Sequence, residues 1–232
     1  MEPILECRGL TKSYSGFMAL NNVNLTFNRG RIIGLLGPNG SGKSTFLKLI
    51  NGLLVPDTGT LLINGVKPGE QSRLAVSYLP ERTYLPDNLT IRSIVDFFND
   101  FYSDFDRNKA GEMLYRLNLN PDSNLKTLSK GNKEKVQLIL VMSREAQLYC
   151  LDEPIGGVDP AARDYILNTI LTNYNRNSTI LISTHLIQDI ETILDDAIFI
   201  QNGNIRLYAP AEQIRKQEGK TIDAYFREVF RC

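Results

Sequence analysis

The sequence predicts an α/β fold built on a parallel sheet, and three observations carry that expectation. Short apolar runs of strand length recur along the chain, helical patterns stand between several of them, and a glycine-rich turn joins one run to a helix. Strand, helix and strand in succession imply parallel pairing through crossover helices. The runs in chain order are Leu5–Leu10, Val23–Phe27, Ile32–Leu36, Thr60–Ile63, Ala75–Leu79, Leu148–Leu151, Thr179–Ser183 and Ala197–Gln201. Between about Thr83 and Arg144 the pattern changes. Ile94, Phe98, Phe101 and Phe105 repeat at helical spacing, and Val136, Ile139 and Leu140 mark another helix. The stretch 83–144 therefore reads as a helical insertion between two parts of an α/β core, 1–82 and 145–205. The remaining 206–232 reads as a tail too short for a separate regulatory domain.

Composition narrows the function classes. With 42% hydrophobic and 22% charged residues, the 232-residue chain has material for one large core or one core plus a subdomain. Its 26 basic and 26 acidic side chains balance, so the strong positive field of a dedicated nucleic-acid binder is missing and no nucleic-acid partner is expected. The most apolar stretches, Arg31–Gly37 and Val136–Met142, are far shorter than the roughly 20 residues that cross a bilayer. The first residues lack the basic flank and apolar segment of a secretory signal, so a cytoplasmic protein is expected. Cys7, Cys150 and Cys232 are scattered without metal-type spacing and read as reduced thiols, Cys150 as a small core residue.

The segment Gly37-Pro38-Asn39-Gly40-Ser41-Gly42-Lys43-Ser44 matches G-x-x-x-x-G-K-[ST]. It follows the run Ile32–Leu36 and opens a helix that continues through Thr45 to about Asn51, with Gly52 as its stop. That context is the one the motif needs. Glycines let backbone N–H groups turn inward around phosphate oxygens, Lys43 brings a positive charge to the outer phosphates, and the Ser44 hydroxyl suits Mg²⁺. ATP or GTP is the implied ligand. A second constellation ends the run Leu148–Leu151, where Asp152-Glu153-Pro154 puts two carboxylates at the carboxyl end of an expected parallel strand. Asp152 suits Mg²⁺, directly or through water, and Glu153 is then placed to polarise an attacking water.

About twenty residues before that pair stands Leu128-Ser129-Lys130-Gly131-Asn132. It resembles the L-S-G-G-Q signature of ATP-binding cassette proteins, with Leu128, Ser129 and Gly131 matching and Lys130 and Asn132 departing. From the residues alone, Ser129 and Gly131 open a helix beginning near Asn132, which offers a hydroxyl, free N–H groups and a positive dipole end. The resemblance implies a P-loop NTPase (RecA-like) core with an antiparallel β subdomain and the helical insertion. It also implies that Ser129 and Gly131 close over the γ-phosphate held by a second subunit, identical or related, so that each chain carries two half-sites. Tyr14 then corresponds to the aromatic residue that stacks on adenine, and Gly156-Gly157-Val158-Asp159-Pro160 to the turn that couples the two sites. Ser183-Thr184-His185 resembles the switch segment in which His185 touches the γ-phosphate. Glu81 stands where the family carries a Gln that contacts Mg²⁺ and water, a variant similar to a subset of bacterial exporter ATPases.

The expected site is thus Lys43, Glu153 and His185 for chemistry, with Ser44, Glu81 and Asp152 around Mg²⁺. Tyr14, Gly37 to Thr45, Ser129 and Gly131 complete the contacts with ATP. What the resemblance implies is an ATP-hydrolysing subunit that energises transport, with a lean toward export. It would sit on the inner face of the cell membrane beneath a membrane-spanning permease, held by a groove that the insertion and the Glu81 loop form. A kinase or GTPase sharing only the phosphate loop would leave Ser129-Lys130-Gly131 and Ser183-Thr184-His185 without a role. The rival within the family is a cassette working as a mechanical switch on a ribosome or nucleic acid, which resembles tandem cassettes or carries long coiled-coil insertions; this single cassette has neither.

Overall fold

Strand β3 (Ile32–Leu36) is buried at every position, because its side chains alternate between two separate apolar layers. Ile33 and Leu35 enter one layer with Cys150, Leu181 and Ile198, while Ile32 and Leu36 enter the other with Leu151, Ile180 and Phe199. The computed structural model describes residues 2–230 except 157 and 159, with the backbone but not the side chains of residues 160–162. Asp159, expected in the coupling turn, and Cys232 lie outside the described residues.

The six-stranded sheet around β3 has the order β5 (Val76–Leu79), β6 (Leu148–Asp152), β7 (Thr179–Thr184), β3, β8 (Asp196–Gln201) and β9 (Asn204–Pro210). The first five are parallel, and only β9 runs antiparallel. Helix α1 (Lys43–Ile50) follows β3 and buries Phe46, Leu47, Leu49 and Ile50 in the first layer. A three-stranded antiparallel sheet covers that layer, in the order β2 (Phe17–Phe27), β1 (Leu5–Tyr14) and β4 (Thr58–Ile63). The expected strands at Leu5 and Val23 extend to meet in a hairpin, since Ser15 and Gly16, both at positive φ, form a two-residue turn whose twist suits flanking strands. The short α2 (Glu70–Arg73) leads into β5.

The insertion holds α3 (Ile91–Phe101), α4 (Arg107–Arg116) and α5 (Lys130–Met142), capped by the side chains of Thr90, Asp106 and Ser129. Helix α5 starts two residues before the expected Asn132, with Ser129 as its N-cap. Ile94 and Phe98 are buried as their spacing predicts, but α3 ends at Phe101, which points outward and stacks on Phe97, whereas Phe105 is buried beyond the helix. Arg144 anchors the insertion to the core: its guanidinium donates to both Asp104 oxygens at 3.0 Å and to the carbonyl of Val76 at 2.7 Å, over the ring of Tyr102.

After β6, helices α6 (Pro160–Thr172) and α7 (Ile187–Ile190) flank β7. The segment after 205 is more than a tail. It completes the β8–β9 hairpin and continues as α8 (Ala211–Glu218) and α9 (Ile222–Phe230), with Ile214, Ile222 and Phe226 in the core and Phe226 edge-on to Phe199. The hairpin signal was in the sequence, since Asn202-Gly203 is a favoured two-residue turn and both residues take positive φ. No helix among the described residues is long and apolar enough to cross a membrane.

Candidate functional site

The glycine-rich loop crosses from β3 to α1 against the neighbouring backbone. A Cβ on Gly37 would stand 2.4 Å from the Ile200 carbonyl oxygen, and one on Gly42, at φ 111°, would stand 2.3 Å from that of Ala19. Only glycine allows this approach. The turn aims the first N–H groups of α1 into open space, where an eight-residue helix supplies no acceptors for them. Lys43 folds back over the loop and donates to the carbonyl oxygens of Gly37 at 2.7 Å and Pro38 at 3.3 Å. Burial pushes its pKa down, against the raising pull of Glu153, Asp152 and Glu81. Ser41 Oγ is buried with no hydrogen-bond partner among the described residues.

Asp152 ends β6 directly across from Ser183 on β7. Its Oδ1 accepts hydrogen bonds from Ser183 Oγ and, at 3.3 Å, from Ser44 Oγ. Burial raises the Asp152 pKa, the two hydroxyls oppose that, and the nearby charges of Glu81 and Glu153 add to it. Ser44 and Asp152 thereby present two hard oxygen donors side by side, the donor type that Mg²⁺ takes from protein beside phosphate oxygens.

Glu153 adopts φ 49°, uncommon for a side-chain-bearing residue, and its N–H donates to the Ser183 carbonyl at 2.9 Å. The bend takes its carboxylate away from the strand axis toward the loop. Oε1 lies 3.6 Å from Lys43 Nζ and 3.1 Å from His185 Nδ1, and Oε2 accepts from Thr184 Oγ1 at 3.0 Å. His185 follows β7 with its side chain half in solvent. All of these groups collect at the carboxyl ends of β3, β6 and β7, where parallel sheets gather ligands.

A cleft of about 690 Å³ opens over them. Its lining includes Asn39, Gly40, Gly42, Lys43, Ser44 and Thr45 from the loop and first helical turn, with Glu81, Glu153 and His185 around the rim. Gly37, Ser41 and Asp152 are buried beneath that lining, and Pro38 is exposed beside it. Tyr14 stands apart at the tip of the β1–β2 hairpin, exposed, with the Lys12 ammonium 5.8 Å from its ring centre. Ser129 and Gly131 are also exposed and are not among the residues lining the cleft, whereas Lys130 and Glu134, an ion pair one turn apart at 3.8 Å, line it. Sequence reasoning missed the Ser183 and Thr184 contacts. The available signal was a pair of hydroxyls closing a buried strand immediately before His185.

Comparison with known proteins agrees with this architecture. A family profile described as "ABC transporter" matches residues 20–156. The chain is 30% identical over 229 residues to the "ABC transporter ATP-binding protein YtrB" of Bacillus subtilis (strain 168), covering 97% of this chain and 78% of that protein. It is also 30% identical over 208 residues to the "Nod factor export ATP-binding protein I" of Rhizobium sp. (strain N33), covering 86% and 68%. A solved "ATP binding subunit of ABC transporter" superposes with a TM-score of 0.86 at 29% identity, over 98% of this chain and 99% of that one. This chain therefore belongs to the ABC transporter family as an ATP-binding subunit, the class that hydrolyses ATP and works with membrane transporter components.

Proposed function

We propose that this subunit hydrolyses ATP at the cleft between the glycine-rich loop and the Asp152-Glu153 pair, and that the energy drives export through a separate membrane-spanning permease. The observation that carries the reading is the convergence of Lys43, Ser44, Asp152, Glu153 and His185 at the ends of three adjacent parallel strands. ATP would lay its phosphates along the loop N–H groups. Lys43 would leave its Gly37 and Pro38 carbonyls for the outer phosphates, whose charge favours the protonated ammonium that burial alone opposes.

In the reaction, a water oxygen forms a bond to the γ-phosphorus as the bond from that phosphorus to the β-phosphate oxygen breaks. Glu153 accepts the water's proton, and ADP and inorganic phosphate leave. Thr184 and His185 hold the Glu153 carboxylate in place. His185 would also meet the γ-phosphate from the end of β7. Mg²⁺, held by Ser44 and Asp152 with Glu81 at the mouth, would neutralise charge on the phosphate oxygens.

Tyr14 would stack on adenine. Ser129 and Gly131, which do not line this chain's own cleft, would close over the nucleotide of a second subunit, identical or related, in a head-to-tail dimer. Export is supported by the relative that carries export in its name, and the assembly would lie on the cytoplasmic face of the membrane. Equilibrium binding of a fluorescent ATP analogue tests the phosphate assignment. Lys43→Ala should weaken binding at least about tenfold, on the scale of one charge-assisted contact. Unchanged affinity would remove Lys43 from the site and the reading with it.

A further inference from the structure

Helix α5 buries an almost wholly apolar run, Val136 and Leu138 to Met142, and one amide interrupts it. Gln137 is 3% exposed, and a buried amide without partners would be strongly destabilising. Both ends of this one are used on a single loop. Nε2 donates to the Pro80 carbonyl at 3.2 Å, and Oε1 accepts from the Tyr84 N–H at 3.4 Å. The three residues between those anchors, Glu81, Arg82 and Thr83, are the ones the loop contributes to the phosphate cleft. One helical turn further along α5, the Val141 carbonyl accepts from Ser77 Oγ at 2.9 Å, so β5 and the start of the loop are tied to the same helix. Glu81 lines the same cleft as Lys43, Ser44 and Glu153, so its charge faces the groups that would meet phosphate and metal.

We propose that Gln137 is a positioning residue for ATP hydrolysis: by gripping both ends of the Pro80–Tyr84 loop, it holds Glu81 at the metal and phosphate site and makes α5 the element that carries it. The physical argument is one of degrees of freedom. A loop fixed only at Pro80 could swing Glu81 out into water, where screening would erase its effect on the site. Two anchors four residues apart leave the intervening backbone little room, and a buried amide supplies both without itself entering the cleft. The same helix is capped by Ser129, so a shift of α5 toward a nucleotide would move Glu81 with it. The proposal rests on reading Glu81 as a group of the metal and phosphate site.

The test compares the Mg²⁺ concentration for half-maximal ATP hydrolysis in the wild-type protein, Glu81→Gln, Gln137→Leu and the double variant, with ATP affinity in EDTA measured alongside. Gln137→Leu should shift the metal requirement about three- to tenfold in the same direction as Glu81→Gln, on the scale of one or two lost hydrogen bonds. The double variant should shift no further than Glu81→Gln alone, and affinity in EDTA should stay within about twofold, a split that a general loosening of the core would not give. Gln137→Met repeats the experiment with a more adaptable side chain. Tyr84→Pro removes the N–H from the exposed side of the contact, so the test stands even if both core variants unfold. A shift in Glu81→Gln with none in the Gln137 and Tyr84 variants, or effects that multiply in the double variant, would overturn the proposal. A silent Glu81→Gln would instead overturn the underlying assignment of Glu81, and the proposal would fall with it.

Discussion

Replacing Glu153 by Gln separates binding from chemistry at this site. The amide keeps the size of the carboxylate, and its oxygen can still accept from Thr184 Oγ1, the donor 3.0 Å from Oε2. Its NH₂ group then lies where Oε1 faces Lys43 at 3.6 Å and His185 at 3.1 Å. Two contacts with a carboxylate become contacts with a donor, and the amide has no basicity to take a proton from water. The loop N–H groups are untouched and Lys43 keeps its Gly37 and Pro38 acceptors, so ATP should still bind. Loss of a positioned general base slows turnover by about 10²–10⁴-fold, a barrier increase of about 2.7–5.4 kcal/mol. The assay is phosphate release at saturating ATP and Mg²⁺, with single-turnover measurements to isolate the chemical step. In parallel, size analysis with ATP and Mg²⁺ should show the variant accumulating as a dimer, because nucleotide that is not hydrolysed cannot release the closed state. Turnover within about tenfold of the wild-type rate would falsify the assignment of Glu153 as base. A variant that binds ATP yet stays monomeric would refute the shared-site arrangement.

Three further outcomes follow from the packing. Arg144→Met strips the Asp104 carboxylate and three backbone carbonyls of a buried guanidinium partner; the loss should be about 3–5 kcal/mol, read as a fall in urea midpoint, and a loss below about 1 kcal/mol would mean the insertion is held by other contacts. Tyr14→Ala should weaken ATP binding by about 0.5–1.5 kcal/mol while leaving the affinity for inorganic tripolyphosphate unchanged; equal losses for both ligands would remove Tyr14 from the adenine. Asp57, whose carboxylate accepts from Lys12 and from the N–H and hydroxyl of Ser13, has its pKa lowered to about 2. A depressed carboxylate contributes stability above its unfolded pKa of about 3.9 and loses it as pH falls through the folded value. The stability gap between wild type and Asp57→Asn should therefore be full near neutrality and close as pH falls from about 4 toward 2, and a gap independent of pH would contradict the ion pair.

What could be read without coordinates was what neighbours in sequence decide. The loop Gly37–Ser44 is eight consecutive residues whose conformation follows from its glycines and from the helix it starts. Asp152 and Glu153 are consecutive too, and a buried strand that ends in charge announces where the sheet opens to a ligand. His185 and Ser129 needed the family resemblance, since a lone histidine or a serine N-cap carries no such signal by itself. The β8–β9 hairpin was legible at Asn202-Gly203, but assigning 206–232 to a tail hid the alternating strand beyond the turn and the aromatic contact of Phe226 with Phe199.

Other features were decided only in three dimensions. That Ser183 and Thr184 grip the carboxylates of Asp152 and Glu153 depends on the parallel register of β6 against β7, which sets residues 31 positions apart side by side. That Gln137 holds the Glu81 loop depends on how α5 lies against β5, and a glutamine within an apolar helix gives no hint of which carbonyl it will meet. The sequence alone determined the phosphate loop, the carboxylate pair and the alternation of strand and helix, because backbone preference and hydrophobic period act over a few residues. The tertiary structure decided which hydroxyl, amide and guanidinium complete the site, because a hydrogen bond a few ångströms long is set by the packing of whole elements, and no local pattern encodes that distance.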